Sequence, residues 1–255
     1  MILKGGRTSV GRNAVSSHTG SLAGAYEIWD GLFRQVRAIP VASVEELIDG
    51  LLAFQFIPEL KGRRIAMIGP GGGASVTATD QAILWGLEVP ILARETVKQL
   101  QNMGLPPGTS LVNPLDIPAA ALSVRGGDAL ADILNITSAA PNIDAVIIHL
   151  NLTPILELAP LDVSSGFVNA MVDRVIDHRT HSGKPVILVI RSTGEPEQEN
   201  LVNAGRLRVL AAKIPFYRSL PGAVRALSFV WSFNMTRASS CIPTHSARDQ
   251  VEAND

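Results

Sequence analysis

Two short stretches of this sequence combine residue types that can do chemistry. In SSHTGSLAG (16–24) one histidine, His18, stands among small and hydroxyl-bearing residues; in GPGGGASVTATD (69–80) four glycines and one proline lead into a helical pattern. Such a glycine run lets the backbone turn sharply. It directs the N–H groups of Gly72, Gly73, Ala74 and Ser75 outward at the positive end of a helix, where an anion can be held. Taken singly, each stretch has an ordinary reading: an exposed loop histidine, and a strand-to-helix turn without a ligand. Together they supply the two halves of a phosphohistidine site. A neutral imidazole nitrogen is a competent nucleophile toward phosphorus, and helix N-termini hold the resulting charge without a cation.

Other chemistries find less support. Gly69, Gly71 and Ala74 fit the G-x-G-x-x-A spacing of a dinucleotide-binding turn, but the ribose-binding carboxylate belongs at the end of the next strand. Glu88 begins that strand and Glu95 lies beyond it. No G-K-[ST] follows the glycines and no G-x-S-x-G occurs. Asn113 and Asp116, in NPLD, read as turn formers that could contact a ligand at the carboxyl edge of a sheet. His149 lies inside an apolar strand and reads as a core or strand-end imidazole whose polar atoms are satisfied. His178 and His181 read as a solvated helix end, because no third ligand stands near them, and His245 falls in the polar tail. The single Cys241 makes neither an internal disulfide nor a zinc pattern, so no metal is expected.

The elements that must position these residues follow from hydrophobic periodicity. Short apolar runs at RIAMIG (64–69), EVPIL (88–92), DAVIIHL (144–150), PVILVI (185–190) and IPFY (214–217) predict strands covered on both faces. Between them, Val76, Ala82 and Ile83 mark one helical face, Leu130, Ile133 and Leu134 a second, and Val168, Met171, Val172, Val175 and Ile176 a third. The alternation predicts an α/β fold with a parallel sheet of about five strands, helices on both faces and right-handed crossovers. Residues 1–60 break that rhythm: a strand stub (MILKG), a helical stripe of Leu22, Tyr26, Trp29, Phe33 and Val36, and a capping box from Ser43 to Glu46 that starts a second helix. This partial helical segment reads as the end of a domain whose beginning lies elsewhere. Its stripe calls for a partner surface, either the larger domain or another subunit in an oligomer. Residues 237–255 are polar and aperiodic and are expected to be disordered.

Composition narrows the partners. The 255 residues carry a net charge of −1, which gives no basic field for nucleic acid. Apolar runs fall far short of the roughly 18 residues of a membrane span, and MILKGGR lacks the apolar core of a signal peptide. No membrane association is expected, and the cytoplasm is the default compartment.

KGGRTSVGRNAVSSHTGSLAG followed by LFRQ resembles the segment around the phosphorylated histidine of NDP-forming acyl-CoA synthetases, the relatives of succinyl-CoA synthetase and of ADP-forming acetyl-CoA synthetase. The likeness continues through RRIAMIGPGGGASV, GLEVPIL, LPPGTSLVNPLDI, NIDAVIIHL and SGKPVILVI, so it covers roughly residues 3–235. It implies the reaction acyl-CoA + NDP + phosphate ⇌ acid + CoA + NTP, by way of an acyl phosphate and a phosphohistidine. His18 would carry the phosphoryl group, Thr19 and Gly20 would shape its loop, and Gly71, Gly72, Gly73 and Ala74 would form one of two helix N-termini that cradle the phosphate. The implied organisation is flavodoxin-like or Rossmann-like. Residues 1–60 would end one CoA-ligase domain, 61–236 would form a second, hinge-like one, and 237–255 would be a tail. No cofactor is expected to be tightly bound. CoA, ADP/ATP or GDP/GTP, and Mg would enter only with the CoA-binding and ATP-grasp modules of the complete enzyme, together with a small carboxylic acid. VRAI (36–39) departs from the small, glycine-containing turn usual after the FRQ helix. The chain is thus expected to be a piece or one subunit of a synthetase, inert alone. The alternative expectation is a silent remnant that binds a ligand or regulates, with its histidine unused.

Overall fold

The computed structural model describes residues 1–19, 24–57, 59–122 and 124–238. A small unit opens the chain: β1 (Ile2–Leu3) pairs in parallel with β2 (Pro40–Val41), and α1 (Ser9–Thr19) and α2 (Tyr26–Val36) run between them. α3 (Val44–Phe56) follows. Ser43 caps α3, its Oγ accepting from the Glu46 amide at 3.1 Å, while the Glu46 carboxylate accepts from the amide of Ala42 at 2.8 Å. The return bond of the capping box thus falls one residue earlier than the motif specifies.

The larger unit continues with β3 (Ile65–Gly69), α4 (Gly72–Leu84), α5 (Arg94–Gln101), β4 (Leu115–Asp116), α6 (Ala119–Leu122) and α7 (Asp128–Ala139). It is completed by β5 (Ala145–Asn151), α8 (Leu152–Leu156), α9 (Leu161–His181), β6 (Val186–Arg191), α10 (Pro196–Ala211), β7 (Phe216–Tyr217) and α11 (Leu220–Ala238). The strands form one parallel sheet in the order β4-β3-β5-β6-β7. Successive strand side chains point to opposite faces, and the core divides accordingly. Ile68, Val146, Ile148, Leu188 and Ile190 face α5, α7, α9 and α10; Ile65, Met67, Ala145, Ile147, Ile187 and Val189 face α3, α4 and α11. Burial of both faces is why β3, β5 and β6 read as unbroken apolar runs.

The parallel α/β sheet and its helices match the expectation, with three differences. EVPIL is not a strand: only Glu88 bridges to Arg64, Pro90 has no N–H to give to a ladder, and the edge beside β3 is taken by Leu115–Asp116. In α4 the sequence marked a face of which only Ala82 is buried. Val76 and Ile83 are 60% and 56% exposed, whereas Ser75, Ala78 and Ala82 are buried, because the helix lies close on the sheet and only small side chains fit. Among its described residues the opening segment holds three helices and two strands rather than two helices and a stub. Of its stripe only Phe33 is buried; Leu22, like the tail from 239 on, lies outside the described residues.

Candidate functional site

The sheet order reverses between β3 and β5. Chain order runs first to β4 on one side of β3 and then to β5 on the other. In open α/β sheets the crevice beyond the carboxyl ends of such a strand pair is where ligands bind. β3 ends at Gly69, beside His149, which lies two residues before the end of β5, and the glycine-rich turn leaves from Gly69.

Gly71 is the N-cap of α4, with a left-handed backbone (φ 109°) that glycine adopts without penalty. The expectation that the first amides all face outward is corrected by what they bond. Asp116, at the end of β4, accepts from the amides of Gly71 at 3.1 Å and Gly72 at 3.0 Å. A Cβ on Gly72 would lie only 2.6 Å from the Asp116 Oδ2, so this residue must be glycine for the carboxylate to sit there. The amides of Ala74 and Ser75 turn back to the Gly71 carbonyl. That leaves the amide of Gly73, for which no partner is found among the described residues and whose α-carbon faces open space.

Asn113 does different work. It is 6% exposed, accepts from the Met67 amide at 3.1 Å, and donates to the carbonyls of Ile65 (2.9 Å) and Pro90 (3.0 Å). Its amide is consumed in bracing β3, whereas Asp116 reaches the turn.

His149 departs most from its expected role. It is 1% exposed, yet neither ring nitrogen has a hydrogen-bond partner among the described residues. By the period of β5 it points with Ala145 and Ile147 toward the α4 side of the sheet, and its Cε1 would lie 4.0 Å from a Cβ on Gly71. Any side chain at Gly69 would overlap the His149 carbonyl, so the turn passes directly over this residue. Burial, and secondarily the charge of Arg191, push the imidazole down to about 4, which keeps it neutral at pH 7.

His18 sits in the last turn of α1 and is exposed. The flexible loop expected around it is therefore corrected: helix continues through Thr19, and Gly20 lies outside the described residues. No hydrogen bond, ion pair or ring contact joins His18 to the glycine-rich turn among the described residues. The carbonyl end of a helix repels a phosphoryl dianion, so a phosphate on His18 needs its stabilisation from elsewhere.

A second polar cluster lies at the opposite, amino edge of the sheet. His178 is buried rather than solvated, bonded through Nε2 to the Ser138 hydroxyl at 2.9 Å and through Nδ1 to Asn135 Oδ1 at 2.8 Å. The adjoining cavity of about 480 Å³ is lined by Lys61, His181 and Lys184. α7 and α9 both end here, and Lys184 Nζ donates to the Ala140 carbonyl at 2.6 Å. The two lysines answer the negative ends of two helices, and the His178 bonds tie α7 to α9. Among the described residues no group of three or more His, Cys, Asp or Glu could hold a metal, and no helix is long and apolar enough to cross a membrane.

Comparisons with known proteins agree with this geometry. Residues 1–54 match the family profile described as Succinyl-CoA ligase like flavodoxin domain. The chain is 30% identical over 186 residues to the acetate–CoA ligase [ADP-forming] II subunit alpha of Pyrococcus furiosus, covering 72% of this chain and 38% of that one. It is 27% identical over 240 residues to subunit alpha of the same organism's ligase I, covering 93% and 47%. Among solved structures, the dinucleotide forming acetyl-coenzyme A synthetase 1 of Candidatus Korarchaeum cryptofilum, in complex with phosphate and ADP, superimposes with a TM-score of 0.73 at 26% identity, covering 92% of this chain and 47% of that one. The chain spans less than half the length of each of these relatives. Residues 1–54 thus belong to the succinyl-CoA ligase flavodoxin-domain family, and over most of its length the chain is similar to ADP-forming acyl-CoA synthetases.

Proposed function

We propose that this chain is the phosphohistidine-bearing part of an NDP-forming acyl-CoA synthetase, with His18 relaying a phosphoryl group between acyl phosphate and NDP. The observation that carries the reading is the match of residues 1–54, which contain an exposed His18, to the succinyl-CoA ligase flavodoxin domain. A ring nitrogen of His18 attacks phosphorus, the phosphorus–oxygen bond to the acyl group breaks, and the carboxylate leaves. A terminal NDP oxygen then attacks the phosphohistidine, the phosphorus–nitrogen bond breaks, and NTP departs. Thr19 and Gly20 are assigned the shaping of the segment that presents His18, Gly20 lying outside the described residues, and Gly71 to Ala74 offer a positive helix end to the travelling phosphoryl group. CoA, NDP, Mg and the carboxylic acid would be handled with CoA-binding and ATP-grasp modules, in cis or in trans.

One observation favours the alternative, a silent relative whose histidine is unused: Asp116 already occupies two amides of the helix end. The experiment is phosphorylation with γ-labelled ATP in an extract of the source organism. Acid-labile, base-stable label on the wild type and none on His18→Gln is the expected result. No label, in an extract shown to phosphorylate a full-length relative, overturns the relay.

A further inference from the structure

Three features meet at the switch point that the family likeness does not call for, and each points to an anion. The Gly73 amide, in the first turn of α4, has no hydrogen-bond partner among the described residues, and a Cβ on this residue would meet nothing within 4 Å. His149 lies buried beneath the same turn with both ring nitrogens unpartnered, its Cε1 directed at Gly71. Arg191, at the end of β6 and on the same face of the sheet by strand period, has no ion pair among the described residues. Buried polar atoms are nearly always hydrogen-bonded, so an orphaned imidazole at a ligand crevice calls for a partner that arrives with the ligand.

We propose that His149 and Arg191, with the amide of Gly73, form a subsite for a phosphate-sized anion, His149 donating a neutral hydrogen bond from beneath the glycine-rich turn. This rests on the reading of α4 as a phosphoryl cradle and adds the residues that hold the group from the sheet side. The ring is covered by the turn, so the turn must open for contact. Residues 69 and 71–73, all glycine, give it the freedom to do so. An anion that also used the amides of Gly71 and Gly72 would displace Asp116, exchanging one anion for another at the helix end. A neutral donor suits a relay: a protonated imidazole would form an ion pair with the phosphoryl group and slow its departure.

The test uses the full chain, inorganic phosphate as the probe and chloride to hold ionic strength constant at pH 7. Histidine ring signals are followed by ¹⁵N-edited NMR, His149 being assigned by its disappearance from the spectrum of His149→Leu, and phosphate affinity is measured by calorimetry. Leucine suits an apolar strand, and His149→Gln, which keeps an N–H donor, is the second variant; thermal melts check that both fold. The expected result is a shift of the His149 ring signals on adding phosphate, affinity lowered about fivefold or more in His149→Leu and partly restored in His149→Gln. Ring signals that do not move, equal affinity in His149→Leu, or no phosphate binding by the wild type each overturn the proposal. Phosphate titration reads the subsite without any phosphoryl transfer, whereas γ-labelled ATP reads His18. Failure of His18 labelling and failure of the subsite are therefore read in separate experiments.

Discussion

A histidine in the middle of a buried strand costs free energy whether or not it binds anything. His149 is held neutral by burial, with the Arg191 charge adding to the effect, and its folded pKa is pushed down to about 4. The unfolded chain has an ordinary imidazole near 6.5 and binds more protons than the native one between those values. Stability is therefore fully present above about pH 6.5 and declines as pH falls toward 4, by about 3 kcal/mol over the whole window. Urea unfolding at a series of pH values is expected to show this decline in the wild type and a flatter curve in His149→Leu. Equal slopes would mean that the ring is hydrated or charged in the native state. Asp144 titrates lower down. Its hydrogen bonds to the Arg64 guanidinium, at 2.9 and 2.7 Å, hold its carboxyl below the usual range, so its contribution is lost only as acid approaches that lowered value. The two effects are separable by pH.

At the scale of elements, α3 shows a local signal that survives into the structure. The Ser43 hydroxyl satisfies an otherwise orphaned amide, and its removal by Ser43→Ala is expected to cost about 1 kcal/mol, read as a lower urea midpoint with an unchanged m-value. An unchanged midpoint would show that water replaces the cap. Such caps, and strands buried on both faces, were legible because the information is local. β3, β5 and β6 announce themselves as apolar runs, and the glycine-rich turn by composition. β2 and β4, two residues each, are too short to carry a pattern. The buried face of α4 was hidden because Ser75 and Ala78 carry little hydropathy while exposed Val76 and Ile83 carry much. The site was half legible for the same reason. Glycine spacing shows a helix end able to hold an anion. That Asp116 reaches it from 44 residues away, and that His149 lacks a partner, are properties of the assembled sheet.

For the molecule as a whole, the opening segment and the larger unit share one core. Ala53, Ile57 and Leu60 pack with Ala223, Val224, Leu227 and Val230 beneath the five-stranded sheet. Polar contacts cross the same boundary: Arg225 pairs with Glu46 while lying 5.0 Å from the Trp85 ring, and the Tyr217 hydroxyl donates to the Asp49 carbonyl at 3.0 Å. The small unit before α3 is different in kind. Its helices leave Val10 and Ile28 76% and 73% exposed, and its sheet has two short strands. Two truncations separate these layers. Removing residues 1–42 spares α3 and the Ser43 hydroxyl that caps it, losing only the Ala42 amide bond to Glu46, and the remainder is expected to melt close to the full chain. Removing residues 1–57 strips the cover from α11, at a cost of at least about 3 kcal/mol from Ala53, Ile57 and their neighbours. That corresponds to a fall in Tm of about 6–12 °C for a domain of this size, with apolar dye binding at the bared helix. If both truncations melt alike, α3 is only appended to the sheet. If the first already unfolds the chain, then β1, α1 and α2 brace the core, and His18 is carried on a structural wall rather than on an exposed helix end.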